Sequence, residues 1–182
     1  MAMRYGLLTL LADAPTHGYE LKTGLERATG GSWSINVGQV YTTLARLERD
    51  GLVAEAGETA DRRDYRITDA GRDELERWFA APYVPDTAPR DELTAKVLLA
   101  VAAQDVDVRG LLQRQRSATI SVLQAYTRRK AAAHPDDLAL LMMLDALVFR
   151  AEAEVRWLDA CDARIARHDA ATYPDAAPES WS

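Results

Sequence analysis

Gln39, Thr42, Thr43 and Arg46, with Arg49 beyond them, recur every three or four residues, so a helix would carry them on one face. These types suit reading of a DNA groove. Glutamine pairs bidentately with adenine, threonine methyls meet the thymine methyl, and arginine reaches guanine or phosphate. A solvated helix face has a similar composition, and Gln39 also stands where a capping box opened by Asn36 would use it. Arg62, Arg63 and Arg66 form a second cationic group suited to phosphates or a minor groove, although Asp61 and Asp64 lie within reach as surface ion-pair partners. Catalysis finds no comparable constellation: no nucleophile elbow occurs, Gly30-Gly31 is isolated from any phosphate-binding pattern, and Cys161 sits in an apolar helical stripe. The expectation is a protein that is not an enzyme and takes no cofactor and no metal, since its three histidines are scattered.

The chain has 182 residues, 22 basic against 28 acidic, and so a formal charge of −6; 48% of it is hydrophobic. That length allows one domain or two small ones with a proper core. DNA binding would need a local basic patch, because bulk attraction has the wrong sign. The single cysteine closes no disulfide within the chain, the early run Leu7-Leu8-Thr9-Leu10-Leu11 is halted by Asp13, and no stretch nears the ~18 apolar residues of a membrane span. A soluble cytoplasmic protein without membrane contact is the expectation.

Positioning these side chains requires helices first. Met3, Leu7, Leu10 and Leu11 mark one helix up to Ala14-Pro15; Leu21, Leu25 and Ala28 mark a second after the turn Pro15-Thr16-His17-Gly18. A third starts from Asn36, buries Val40, Leu44 and Leu47, and stops at Gly51. The period then shifts to the β-prone runs Leu52-Val53-Ala54 and Tyr65-Arg66-Ile67, with the loop Gly57 to Arg63 between them. Thr68 caps a fourth helix with inner face Leu75, Trp78 and Phe79. Three helices, a hairpin and a helix is the order of a winged helix-turn-helix.

The stretches that carry these features are His17-Gly18-Tyr19-Glu20-Leu21, Asn36-Val37-Gly38-Gln39-Val40-Tyr41, Leu44-Ala45-Arg46-Leu47-Glu48-Arg49-Asp50-Gly51-Leu52-Val53 and Arg63-Asp64-Tyr65-Arg66-Ile67-Thr68-Asp69-Ala70-Gly71. In content, order and spacing they resemble the PadR-type bacterial transcriptional regulators. Thr42 departs from the proline that many relatives carry there. The resemblance implies a homodimer that represses transcription on an inverted-repeat, double-stranded DNA operator and lets go when a small molecule binds. It further implies that Tyr41 and its neighbours meet DNA, that Tyr19 and Lys22 approach phosphates, and that Arg62 and Arg63 serve the wing. Gly18 would let the backbone approach a phosphate closely.

Beyond the prolines at 82, 85 and 89 the pattern is helical again: Leu93, Val97, Leu98 and Val101, then Val108 to Tyr126, then a heptad-like series from Asp136 to about His168. The fold expected is therefore mainly α with a small β-hairpin. It divides into a winged helix-turn-helix (1–81), a linker (82–90), a helical dimerisation and effector-binding domain (91–169) and a frayed tail (170–182). The last helix would dimerise through Leu141, Val148 and Val155 on one row and Leu144, Ala151, Leu158 and Ile165 on the other. Trp78, Met142, Phe149 and Trp157 would line an aromatic effector pocket, although aromatics and methionines at helical spacing serve equally as core packing. Two other readings stay open: a winged-helix protein-interaction module without specific DNA binding, and a constitutive regulator with no effector pocket.

Overall fold

The computed structural model describes residues 2–31, 33–59, 62–84, 91–103 and 105–172; for Glu58, Thr59, Arg62, Ala170 and Thr172 it describes the backbone alone. The elements run α1 (Ala2–Asp13), β1 (Thr16–His17), α2 (Gly18–Ala28), α3 (Val37–Arg49), β2 (Val53–Thr59), β3 (Arg62–Ile67), α4 (Asp69–Ala80), α5 (Glu92–Ala102), α6 (Val108–Ala131) and α7 (Leu138–Thr172). Helices and a small antiparallel sheet thus make the mainly α, winged-helix architecture expected of the sequence.

The helix boundaries have local causes. Asn36 caps α3 by accepting from the Gly38 N–H at 2.8 Å, and the helix closes with the Leu52 N–H on the Leu47 carbonyl at 2.9 Å. Thr68 caps α4 through the Gly71 N–H and also donates its hydroxyl to the Gly51 carbonyl at 2.7 Å, which ties the end of one helix to the start of the next.

Two features of the sheet depart from expectation. Thr16 and His17 form a short third strand and pair with Tyr65 and Asp64, giving the order β1-β3-β2. Two residues carry too little periodicity to show as a strand, and their neighbours Pro15 and Gly18 read as a turn. The hairpin strands also run through most of the stretch read as a loop, with a bulge between Glu55 and Gly57. Arg62 and Arg63 are therefore strand residues, aligned opposite Thr59 and Glu58, because ladder pairing outweighs the weak β-preference of charged side chains.

The chain divides into two compact units, and the division is not contiguous. One holds α1 to α4 with the sheet and takes in Pro135–Met143; the other holds α5, α6 and α7 from Leu144 onward. The first is built on Leu7, Leu8, Leu11, Leu21, Leu25, Val40, Leu44 and Leu47, with Tyr65, Ile67 and Leu75 from the sheet and α4. Trp78 and Phe79 do not share this core: they are exposed on α4, Trp78 stacked on Tyr5 at 4.5 Å between ring centroids. α4 packs on α1 and sends Leu75 into the core, which leaves its last turn free to present aromatics outward.

In the second unit Val97, Leu112 and Leu158 make a smaller core, with Trp157, Cys161 and Ile165 against it. Along α6 and α7 the polar pairs Arg109–Asp169 (3.0 Å), Arg116–Asp159 (2.6 Å), Gln115–Glu154 (3.1 Å) and Lys130–Asp145 step in opposite directions along the two helices, so these run antiparallel. Leu144, Ala151 and Leu158 are buried within the single chain. That apolar row is thus taken up inside the protomer and does not await a partner, contrary to the expectation that both rows face a second subunit. No helix among the described residues is long and apolar enough to cross a membrane.

Candidate nucleic-acid interface

α3 presents the face its spacing anticipated. Val40, Leu44 and Leu47 point into the core, while Gln39, Tyr41, Thr42, Arg46 and Arg49 are exposed and Thr43 is half-buried. The threonine hydroxyls are used within the helix: Thr42 donates to the Gly38 carbonyl at 2.8 Å and Thr43 to the Gln39 carbonyl at 2.7 Å. Each hydroxyl proton is thus spent within the helix, and the methyl group is the part of the side chain suited to thymine contact. Asn36 caps through its own side chain, and the Gln39 amide makes no hydrogen bond among the described residues.

A groove of about 480 Å³ runs along this face between α3 and the start of α1, lined by Met3, Asn36, Gly38, Gln39, Thr42, Thr43 and Arg46. A second hollow, which shares Met3, Thr43 and Arg46 with it, is lined further by Arg4, Leu47, Arg49 and Asp50, and there Arg49 pairs with Asp50 at 3.3 Å. Met3 and Arg4 are additions to the candidate set, since a periodic reading of α1 assigns Met3 to the core. Arg4 reaches Glu74 only at 3.9 Å and lies over the Tyr5 ring, while Arg46 carries no ion pair among the described residues. This gathers cationic groups locally in an otherwise acidic chain.

The remaining candidates differ in availability. Tyr19 is exposed at the start of α2. Lys22 is half-buried and donates to Glu26 at 2.9 Å; that contact, aided by the Ile35 N–H on the same carboxylate, holds the Glu26 carboxyl below its usual range. The ammonium is thus engaged one turn along its own helix, as i,i+4 spacing favours. Arg66 is exposed and free of ion pairs among the described residues. The side chain of Arg62 lies outside the described residues.

Arg63 is engaged most of all. Its Nη2 donates to both Glu48 oxygens, at 3.1 and 3.3 Å, and pairs with Glu55, and the guanidinium sits over the Tyr65 ring, 5.4 Å from its centroid. Tyr65 is 4% exposed, and burial pushes its phenol above the ordinary value while Arg63 pulls it back. Gly18 leaves room for Tyr41, since a Cβ there would stand 2.6 Å from the Tyr41 ring.

Of the effector candidates, Trp78 stacks on Tyr5 and meets Phe79 edge-on in the first unit, and Met142 is exposed there. In the second unit Phe149 is exposed, and Trp157 packs on the core and lines a hollow with Asp91, Thr94 and Glu154. The heptad residues Leu141, Val148, Val155 and Ile165 are half-buried. No group of side chains suited to hold a metal ion occurs among the described residues.

Comparison with known proteins agrees with this architecture. The transcriptional regulator PadR-like family matches residues 7–77, and the virulence activator alpha C-terminal family matches residues 89–166. Negative transcriptional regulator PadR of Bacillus subtilis is 26% identical over 177 residues, 90% of this chain and 97% of its own. Transcriptional regulator Rv3488 of Mycobacterium tuberculosis is 35% identical over 100 residues, 53% of this chain and 83% of its own. Crystal structures of Bacillus subtilis PadR, one with operator DNA and one with p-coumaric acid, match with TM-scores of 0.60 and 0.64 at 23% and 24% identity, each over 91% of this chain and 99% of the other.

Fold and exposed helix face together define a winged-helix transcriptional regulator, not an enzyme. The chain belongs to the PadR-like family of transcriptional regulators, in its branch with a long helical C-terminal region.

Proposed function

We propose that the protein is a cytoplasmic, homodimeric repressor that binds an inverted-repeat operator through α3 and is released by a small-molecule effector. The observation that carries the DNA reading is the α3 face itself: Gln39 and Arg46 exposed and without a side-chain partner among the described residues, Thr42 with its hydroxyl bonded within the helix, and a hollow beside them lined by Arg4, Arg46 and Arg49 with Asp50. Gln39, Thr42, Thr43 and Arg46 are the residues for base readout, with Tyr41 beside them. Tyr19, Arg62 and Arg66 are the candidates for phosphate contact; Lys22, already paired, is the weaker one.

Dimerisation is supported by apolar surface that one chain leaves in water. Leu98, Leu99 and Val101 on α5 are each 60% exposed or more, as is Phe149 on α7. Such patches on a regulator favour a second copy as their cover. Two-fold symmetry would then set the recognition helices about 34–36 Å apart, one DNA turn. Release by an effector is supported by the relative crystallised with p-coumaric acid.

The test is fluorescence anisotropy of the purified protein on DNA upstream of its own gene, at two salt concentrations with random DNA as competitor. Tight, competitor-resistant, salt-dependent binding supports the regulator. The charge of −6 favours one second reading, a protein-interaction module; a well-folded dimer that selects no sequence from a random DNA library would support it.

A further inference from the structure

Arg63 has the residue type and the place of a phosphate ligand, yet its surroundings suit another task. Three elements converge on it. Glu48 comes from the last turn of α3, Glu55 from β2, and Tyr65 lies two residues along β3 on the same face of the hairpin, directly opposite Glu55 in the ladder. The guanidinium is held by two carboxylates and backed by a buried ring. With one positive and two negative groups, this cluster repels an approaching phosphate rather than attracting it. The carboxylate contacts all fall on one nitrogen of Arg63, Nη2, which bridges both oxygens of Glu48 to Glu55 and so joins the end of the recognition helix to the wing.

We propose that Arg63 is a positioning residue of DNA recognition: with Glu48 and Glu55 it forms a strut that sets the wing relative to α3, and it does not itself ligate DNA. Strand alternation sends Arg66 to the opposite side of the hairpin from Arg63 and Tyr65, where it is exposed and unpaired among the described residues. The strut thus orients a cationic neighbour that is free to contact the backbone. Glu48 and Glu55, acidic residues beside a helix proposed to read DNA, acquire a reason to be there.

The inference rests on the DNA-binding reading, so its test has one arm with DNA and one without. In the full-length protein, operator affinity is measured across a salt series for wild type, Arg63→Ala, Glu48→Gln, their double variant and Arg66→Ala. A phosphate ligand lowers the slope of log affinity against log salt by about 0.9 per lost contact, and twice that in a dimer. Arg66→Ala should show that loss. Arg63→Ala should weaken operator binding about tenfold with the wild-type slope, Glu48→Gln should weaken it in the same direction, and the double variant should be little worse than either single one. A lowered slope in Arg63→Ala, or tighter binding in Glu48→Gln that disappears once Arg63 is gone, would identify Arg63 as a DNA ligand restrained by Glu48 and overturn the strut. Unchanged affinity in both single variants would overturn it as well.

Without DNA, amide hydrogen exchange of β2 and β3 should speed up in Arg63→Ala and Glu48→Gln and stay unchanged in Arg66→Ala, with circular dichroism confirming the fold. Equal exchange in all variants would reject the strut. Specific binding absent from the wild type would reject the regulator reading and leave the exchange result to judge the strut alone.

Discussion

Gln39 illustrates how a side chain becomes available by what its neighbours do. Asn36 takes over the capping of α3, Thr43 uses only the Gln39 carbonyl, and the amide is left facing solvent. We expect Gln39→Ala to relax preference at one base step by about 1–3 kcal/mol while leaving affinity for random DNA unchanged. Binding to single-substituted operators measures this; equal losses on specific and random DNA would reject base readout. Gln39, Thr42, Thr43 and Arg46 could be named in advance because helical spacing puts them opposite Val40, Leu44 and Leu47. The commitments of Lys22 and Arg63 could not, since Glu26 and Glu48 become partners only through rotamers and the approach of a second element.

At the scale of elements, the Gly30-Gly31 pair after α2 is explained by geometry. Both residues adopt left-handed backbone, with φ of 59° and 69°, but a Cβ on Gly30 would stand 2.9 Å from the Leu140 Cα while one on Gly31 meets open space. Alanine at either position pays the same left-handed cost of about 1 kcal/mol. Gly30→Ala should therefore melt below Gly31→Ala, by the overpacking of Leu140 against the turn, roughly a further 1–3 kcal/mol; identical melting temperatures would deny the contact. The cap of α5 offers a second check. Asp91 accepts from the Thr94 hydroxyl and from the Thr94 and Leu93 N–H groups, and these bonds hold its carboxyl below the ordinary range. A depressed folded pKa contributes stability that is present above the unfolded value near 4 and is lost as pH falls through the lower folded one. Asp91→Asn keeps a capping oxygen but no titration, so the melting gap between wild type and variant should shrink from pH 6 to pH 3. A constant gap would show that the charge adds nothing to the cap.

For the whole molecule, the decisive question is what covers the exposed apolar side chains of α5. Leu98 and Leu99 lie opposite the buried Val97 and Ala100, so a charge at Leu99 should leave the protomer's core intact. We expect Leu99→Asp to shift sedimentation from dimer to monomer at micromolar concentration and to cut operator affinity steeply, because two half-sites would no longer be bound as one. A dimer that persists would move the interface to another face.

The order of the helices and the hairpin, the caps at Asn36 and Thr68 and the exposed face of α3 were all determined by the sequence, because each depends on residue type at short range: capping oxygens, helical period, glycine at the end of a helix. Family membership was legible for the same reason, in motifs confined to the first eighty residues or so. Only the tertiary structure decided that Thr16-His17 is a strand, that Trp78 and Phe79 face outward, that Leu144, Ala151 and Leu158 are buried within one chain, and that Arg63 spans Glu48 and Glu55. Those outcomes depend on which elements meet. A periodic stripe shows that a face will be covered, and a charge shows that it will seek a partner, but burial and pairing are properties of two surfaces in contact, and residues far apart in the chain supply the second one.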